Sequence, residues 1–222
     1  MATRPVFEPK LPDAYSAKSI TFEWVAGMSA TQKRKSLIKL HEAARKIGLH
    51  RILEISTKSI DPIGVAASAF NLQLIWRGRR ITVEQAYQSA KVFINGGPYL
   101  DILDLSPVNA KRDERLRQSG ELSHFIGEYD EQWPLKPVSA FYEWIYLSAL
   151  QQNPKIADHF MQFEGFTDIE FNPAKSVSCQ AAAAAKYVAL RQSGLLKEHM
   201  LSRDGFLQLA KSPSAAQAAF DF

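Results

Sequence analysis

Apolar residues recur at helical spacing in the segment that follows Ser29. Ser29 and Gln32 match a capping box, in which two side chains bond the free backbone amides at the start of a helix. Gly48 is a residue type that often follows the end of a helix. We therefore predict a helix between these points, and its apolar stripe consists of Leu37, Leu40, His41 and Ala44.

A second capping box, Thr82 with Gln85, opens the segment VEQAYQSAKVFI (83–94), where we predict another helix. Its core-facing stripe consists of Val83, Ala86, Tyr87 and Ala90. Upstream, residues 72–76 place apolar side chains at every second position before RGRR (77–80), a pattern that predicts a small hairpin. RILEIST (51–57) predicts a short strand.

Four further helices are predicted. They are a charged helix at 109–120, a strongly apolar helix at 138–153, a short helix at 154–163 and an Ala-rich helix at 179–194. FTDIEFNP (166–173) is expected to be irregular. Residues 1–20 carry three prolines and predict an extended lead-in, while about 196–222 is expected to form a C-terminal helical extension with a break at Pro213. We expect one domain over residues 1–222, mainly α within the α+β class.

Composition supports a globular protein, because 46% of the 222 residues are hydrophobic and 23% are charged. The sequence has no run of 18 apolar residues, so no membrane-spanning helix is expected. The N-terminus lacks the apolar region of a secretory signal, and the single cysteine, Cys179, cannot form an internal disulfide. These features favour a cytoplasmic protein.

Several classes of chemistry lack their sequence signatures. The five histidines show no metal-ligand spacing, so no metal site is expected. The sequence contains no Walker loop, no GxGxxG and no HExxH motif, and we expect no cofactor. It also lacks the GxSxG elbow of serine hydrolases.

The formal net charge of +4 permits a nucleic-acid partner without requiring one. Part of the excess lies at the start of the first predicted helix, at Lys33, Arg34 and Lys35. Cations are unfavourable at that end of a helix dipole, so one hypothesis is that they bind phosphate there. The alternative is an ordinary solvated face. Arg77, Arg79 and Arg80 form a second basic group at the predicted hairpin turn.

Glu84, Gln88 and Lys91 follow helical spacing beside the apolar stripe of the second predicted helix. An ionised Glu84 suits a general base or a group that stabilises an oxocarbenium cation. Lys91 could bind phosphate or, if desolvated, act as a nucleophilic amine. The alternative is that these are ordinary residues of a helix surface.

Two further candidates lie in segments that we expect to be loops. Trp133 precedes a proline, where an indole can either stack on a nucleobase or anchor the loop by packing. Asp168 and Glu170 alternate with apolar residues, so both point one way if the segment is extended. With Glu84 they could supply paired carboxylates for glycosidic cleavage, or Asp168 could stabilise a turn before Pro173.

These segments together resemble the NADAR superfamily. SAFN (68–71) is similar to the S-N-F-like loop of that family, and VEQAYQSAK (83–91) to its E-H-x-x-Q-A-x-K helix, with Gln85 where many members carry histidine. The longer order of motifs over about residues 20–195 resembles the NADAR antitoxins of DarTG toxin–antitoxin systems. It runs through ILEISTKS, GGPYLDIL, WPLKP, AFYEW and FTDIEFNPAKSVSCQA. The resemblance implies a YbiA-like fold, an orthogonal helical bundle with a small antiparallel β element.

The same resemblance implies an activity. Such proteins remove ADP-ribose from guanine bases in DNA and so reverse the action of a DarT-type ADP-ribosyltransferase toxin. The resemblance also implies a role in phage defence. The implied catalytic set is Glu84, Lys35, Lys91 and Asp168. The implied ligand-binding set is Lys58, Ser68, Asn71, Gln88, Arg112 and Trp133. ADP-ribosylated DNA is the expected partner and ADP-ribose the expected product.

Two other functions remain open at this point. The chain could be an N-glycosidase that acts on a free N-ribosylated nucleotide. It could instead bind ADP-ribosylated DNA or the toxin without chemistry. A covalent variant of the enzyme hypothesis uses Lys35 or Lys91 as an amine that forms an imine with the opened ribose.

Overall fold

Capping boxes fix the start of two helices, the first helix of the chain and the helix that carries Glu84 and Gln88. In the computed structural model, which describes residues 1–11, 14–27, 29–174, 176–196 and 202–211, both capping boxes form as predicted. The elements in chain order are β1 (Ala2–Lys10), β2 (Ala14–Phe22), α1 (Ala30–Arg45), β3 (Ile52–Glu54), α2 (Pro62–Ala66), β4 (Gln73–Trp76), β5 (Arg79–Thr82), α3 (Val83–Ser89), β6 (Lys91–Phe93), a 3-10 helix (Leu100–Asp104), α4 (Pro107–Arg112), α5 (Arg115–Gln118), β7 (Leu122–Ile126), β8 (Gln132–Trp133), α6 (Ala140–Gln152), α7 (Pro154–Phe160), β9 (Gly165–Thr167), α8 (Gln180–Gln192) and α9 (Arg203–Lys211).

The expected orthogonal helical bundle with a small antiparallel β element is wrong. The described residues form an α+β fold with three sheets, and the largest is a four-stranded mixed sheet in the order β2-β1-β9-β3. β1 and β2 form a long antiparallel hairpin, whereas β3 and β9 run parallel. The other two sheets are the predicted hairpin β4–β5 and the antiparallel set β6-β7-β8.

The missed strands lack a clear sequence signal. The segment expected to be an extended lead-in is β1 and most of β2, and it contains Pro5 and Pro9, a residue type that cannot donate to a strand ladder. β3 lies within the short strand predicted at 51–57, whereas β9 was not predicted and has three residues, too few to show a period of two. In β9, Gly165 lies against Val6 of β1 so closely that an added Cβ would be 2.9 Å from the Cγ1 of Val6.

The second predicted helix is shorter than expected. α3 ends at Ser89, and the residues after it form β6, which pairs with β7. Lys91 is therefore the first residue of a strand rather than part of the helix. The charged segment predicted as one helix forms α4 and α5, and its end at Gly120 has a φ of 83°.

Two apolar clusters hold the elements together. The larger one surrounds α6, which buries nine of its thirteen side chains, and the alanine-rich α8 packs against it. The smaller cluster lies between the β1–β2 hairpin and α1 and includes the predicted α1 residues Leu37, Leu40 and Ala44. His41, the fourth member of that stripe, is also buried.

α9 places Phe206 and Leu207 in the larger cluster. The predicted break at Pro213 and the rest of the tail lie outside the described residues. Over the part of the chain that the structure describes, none of the helices has the length and apolar character needed to cross a bilayer.

Candidate functional site

A cleft of about 810 Å³ opens between α3, the start of α6 and the two loops at 134–139 and 168–178. Its volume falls within the ~300–1,000 Å³ typical of small-molecule sites. Among the predicted residues, the cleft is lined by Glu84, Gln88, Lys91, Asp168 and Ser68. These residues come from α3, β6 and two loops, so the fold brings together side chains up to 100 residues apart in sequence (68 to 168).

Glu84 lies in the first turn of α3 and is only 5% exposed. Its Oε1 accepts a hydrogen bond of 2.8 Å from Nε2 of Gln88, one helical turn further on. The Nζ of Lys111, on α4, lies 3.8 Å from the same oxygen. A carboxylate that a hydrogen bond holds in place is suited to face a developing positive charge.

Gln88, which also lines the cleft, has an unused hydrogen-bond acceptor. Its Oε1 is buried and has no hydrogen-bond partner among the described residues. A buried carbonyl oxygen without a partner is costly, and a ligand hydroxyl or amine would remove that cost.

Lys91 lies beside Tyr87, with its Nζ 4.7 Å from the centre of the ring. Burial lowers the pKa of Lys91, the negative charge of Glu84 opposes the change and the positive charge of Lys111 adds to it, so the net value is about 8. At neutral pH a larger share of this amine is therefore unprotonated than for a lysine in water. That property is required of a nucleophilic amine.

Asp168 follows β9 directly and its side chain is held from three directions. Oδ1 accepts hydrogen bonds from the amides of Glu170 (2.9 Å) and Phe171 (3.2 Å), and Oδ2 accepts one from Nε2 of Gln180 (2.9 Å). Burial, and then the charge of Glu54, raise the pKa of Asp168 to about 7, although the hydrogen bond from Gln180 acts against this. A carboxyl group of this kind can donate a proton near neutral pH.

The apolar wall of the cleft is aromatic. Tyr87 stacks on Phe125 with ring centres 5.5 Å apart and meets Tyr142 edge-on at 5.1 Å. Phe70 also lines the cleft, and the Nζ of Lys111 lies 5.0 Å from the centre of its ring. Aromatic faces beside cations suit a ligand that combines a base with phosphate groups.

The other predicted site residues do not line the cleft. Lys35 is exposed on α1, and Asn71 uses its side-chain amide to bond the carbonyl of Val65. Lys58 lies near the cleft and forms an ion pair with Glu170, which does line it, at 3.8 Å. Arg112 is exposed at the end of α4.

Trp133 is fully buried in the core. It packs on Trp144 at 4.9 Å, on Phe141 at 5.4 Å and on Phe206 at 6.5 Å between ring centres. Its Nε1 donates to Glu131 at 3.2 Å. Because both faces of the indole are covered by protein, Trp133 anchors its segment by packing and has no free face on which a nucleobase could stack.

Sequence reasoning missed Lys111 and Gln180. Neighbouring residues of a helix point about 100° apart, and Ala110 is the buried residue of α4, so Lys111 lies nearer the core than Arg112. The position of Lys111 next to the apolar Ala110 in the predicted helix was the sequence feature that could have identified it. Gln180 donates to the carbonyl of Ile55 at 2.6 Å and accepts from the amide of Ala69 at 2.8 Å, which ties the cleft walls together.

Three of the six cations that the sequence suggested as a phosphate surface form ion pairs. Lys33 pairs with Glu170, and Arg77 and Arg79 pair with Asp130 and Asp104. Positive charge at the cleft itself comes instead from Lys91, Lys111 and Lys136.

Comparison with known proteins adds one finding. A sequence model of the family described as DarT1-associated NADAR antitoxin matches residues 2–220. No curated protein matches the chain.

Proposed function

The chain belongs to the family of DarT1-associated NADAR antitoxins, and on that premise we propose that it is an N-glycosidase that removes ADP-ribose from guanine bases in DNA. In this role it reverses the modification made by a DarT-type toxin. The observation that carries the proposal is that Glu84, Asp168 and Lys91 line one cleft with aromatic walls. This set can stabilise a cation, donate a proton and bind phosphate.

The bond to be broken joins C1″ of the ribose to the amino nitrogen of guanine. As it breaks, its electron pair moves to the nitrogen, which takes a proton from the Asp168 carboxyl group. The ribose is left with the positive charge of an oxocarbenium ion, which the Glu84 carboxylate stabilises. Water then adds to C1″ and gives its proton to Glu84, so guanine is restored and ADP-ribose is released.

Lys111 and Lys91 supply the charge that the diphosphate needs. Lys111 is exposed enough to meet a phosphate at the mouth of the cleft, and Lys91 lies deeper. The unpartnered oxygen of Gln88 accepts a hydrogen bond from a ribose hydroxyl or the guanine amine.

The lowered pKa of Lys91 supports a covalent route as the alternative. In this route the unprotonated amine attacks the opened ribose imine at C1″, guanine leaves with the nitrogen and a proton, and water hydrolyses the lysine imine to ADP-ribose and the free amine. Lys35 is not the nucleophilic amine of this route, because it lies outside the cleft. Borohydride added during turnover should leave an adduct of ADP-ribose mass on Lys91. An unmodified Lys91 under these conditions would exclude the imine.

The test of the proposed function is a single-turnover assay on an oligonucleotide that carries one ADP-ribosylated guanine. We expect the wild type to release ADP-ribose and Glu84→Gln to be at least ~10²-fold slower, the usual loss for an acid–base group. Glu121→Gln, at an exposed glutamate outside the cleft, is the matched control and should retain the wild-type rate.

Three outcomes separate the competing functions. Binding of the oligonucleotide without release of ADP-ribose would identify a non-catalytic binder. Equal kcat/KM on a modified mononucleotide and on the oligonucleotide would favour the free nucleotide as substrate. A Glu84→Gln variant as fast as the wild type would contradict the assigned chemistry.

A further inference from the structure

Glu54 is a buried carboxylate that the cleft chemistry described above does not use. It is the last residue of β3, is 2% exposed and does not line the cleft. Its Oε1 accepts hydrogen bonds from Oγ of Ser56 (2.6 Å) and from the amide of Ile169 (2.9 Å), and its Oε2 accepts one from Oγ1 of Thr167 (2.7 Å). A buried glutamate with three donors is held in one position.

Two of these donors are the residues on either side of Asp168. Glu54 pairs with Thr167 in the parallel ladder of β3 and β9, and the amide of Ile55 donates to the carbonyl of Thr167 at 2.8 Å. The segment is therefore fixed to Glu54 both before and after Asp168. Asp168 itself lines the cleft.

The hydrogen bonds that Glu54 accepts favour its ionised form. Nε2 of His41 lies 2.8 Å from Oγ1 of Thr167, whose single hydroxyl hydrogen is directed at Glu54. The imidazole N–H therefore donates to Thr167. Burial, and then the charge of Arg45, lower the pKa of His41 to about 4, so the ring is neutral at neutral pH. All three hydrogen bonds run toward Glu54 and act to lower its pKa, against burial, which is the largest cause that raises it.

An ionised Glu54 disfavours a second negative charge nearby. Burial and this charge are the two largest causes that raise the pKa of Asp168 to about 7. The other charged or titratable groups that interact with Asp168 are Glu170 from the same loop, Tyr142 and Tyr146 from α6, Cys179 before α8, and Arg4 from β1.

We propose that Glu54 is a positioning residue, which clamps the backbone on both sides of Asp168 and whose negative charge keeps the proton on the Asp168 carboxyl group. The use of that proton in catalysis rests on the proposed function. Glu54 itself touches neither the ligand nor the reacting atoms.

The clamp is tested by carbon-13 NMR of the full chain labelled at aspartate carboxyl groups, with Asp168→Asn to assign the signal. We expect Asp168 to titrate near pH 7 in the wild type and about one pH unit lower, or more, in Glu54→Gln, the usual effect of removing a like charge. Glu164→Gln is the matched control. Glu164 also accepts backbone hydrogen bonds beside β3, from His50 and Arg51, and its loss should leave the Asp168 titration unchanged.

An unchanged Asp168 titration in folded Glu54→Gln would overturn the proposal. If that variant does not fold, Ser56→Ala tests the same network, because it removes one donor from the Glu54 carboxylate. The Glu54 titration, followed with labelled glutamate, should then move to higher pH, and a curve that stays in place would equally overturn the proposal.

An activity measurement separates this inference from the proposed function. If ADP-ribose is released, the pH at which the rate falls should move together with the Asp168 titration in Glu54→Gln. A rate profile that stays fixed while the titration moves would refute the link to catalysis. A wild type that shows the NMR effect but releases no ADP-ribose would support the clamp and refute the proposed function.

Discussion

The Nζ of Lys111 lies 3.8 Å from Oε1 of Glu84, so a cation with 57% of its side chain exposed meets a carboxylate whose side chain is 6% exposed. The same lysine lowers the pKa of Lys91. One side chain on α4 therefore affects both a carboxylate and an amine of the cleft.

Replacing Lys111 by methionine should raise the pKa of Lys91 above its value of about 8, because a repelling positive charge is removed. The measurement is competitive acetylation of Lys91 across a pH series, quantified by mass spectrometry. Arg112→Met removes a cation one residue away that does not line the cleft, and it should have no effect. An equal change in both variants would contradict a specific contact.

The pH dependence of the rate distinguishes the two chemical routes. If Asp168 must donate a proton, the rate is highest below its pKa of about 7 and falls as the pH rises through that value. If unprotonated Lys91 must attack, the rate rises as the pH approaches its pKa of about 8. We expect the rate to fall between pH 7 and pH 8, measured under single-turnover conditions. Asp168→Asn should abolish that fall, and a rate that rises over this interval would favour the imine.

Trp133→Ala should destabilise the fold rather than weaken ligand binding. Removal of a buried Trp side chain typically costs ~3–5 kcal/mol of unfolding free energy. Urea denaturation measures the loss, and Trp24→Ala, at a half-buried position, should cost less. ADP-ribose affinity measured on the folded fraction should be unchanged, and a selective loss of affinity would restore a ligand role for Trp133.

Salt dependence should locate the phosphate contacts. Lys136 is exposed at the cleft and pairs with no carboxylate among the described residues, whereas Arg79 is paired with Asp104. Each phosphate contact contributes roughly −0.7 to the slope of log K against log salt for single strands. Lys136→Met should make the slope for oligonucleotide binding shallower by about one such contact, and Arg79→Met should leave it unchanged. Equal effects would indicate that the whole surface contributes.

The sequence was informative where interactions are local. The capping box at Thr82 and the helical spacing of Glu84 and Gln88 predicted a helix with both side chains on one face, because side chains one turn apart share a face, and both residues line the cleft. Lys91 also lines the cleft, although it lies in a strand that begins after the helix ends.

The opposite wall depends on pairing that no local pattern encodes. Glu54 and Thr167 are 113 residues apart, and their strands have three residues each. Glu54 was therefore only one polar residue in a short β-rich segment. The long β1–β2 hairpin was not predicted because its first strand contains prolines. For that reason the mixed sheet that supports Asp168 was not predicted either.

The segment around Asp168 runs between the two apolar clusters. Phe166 and Phe171 are buried in the larger cluster, and Ile169 is buried in the smaller one. Anchoring in both clusters means that the segment cannot detach without disrupting each of them. Its amide hydrogens, that of Ile169 above all, should consequently exchange with deuterium only through global unfolding, whereas exposed loops exchange by local opening.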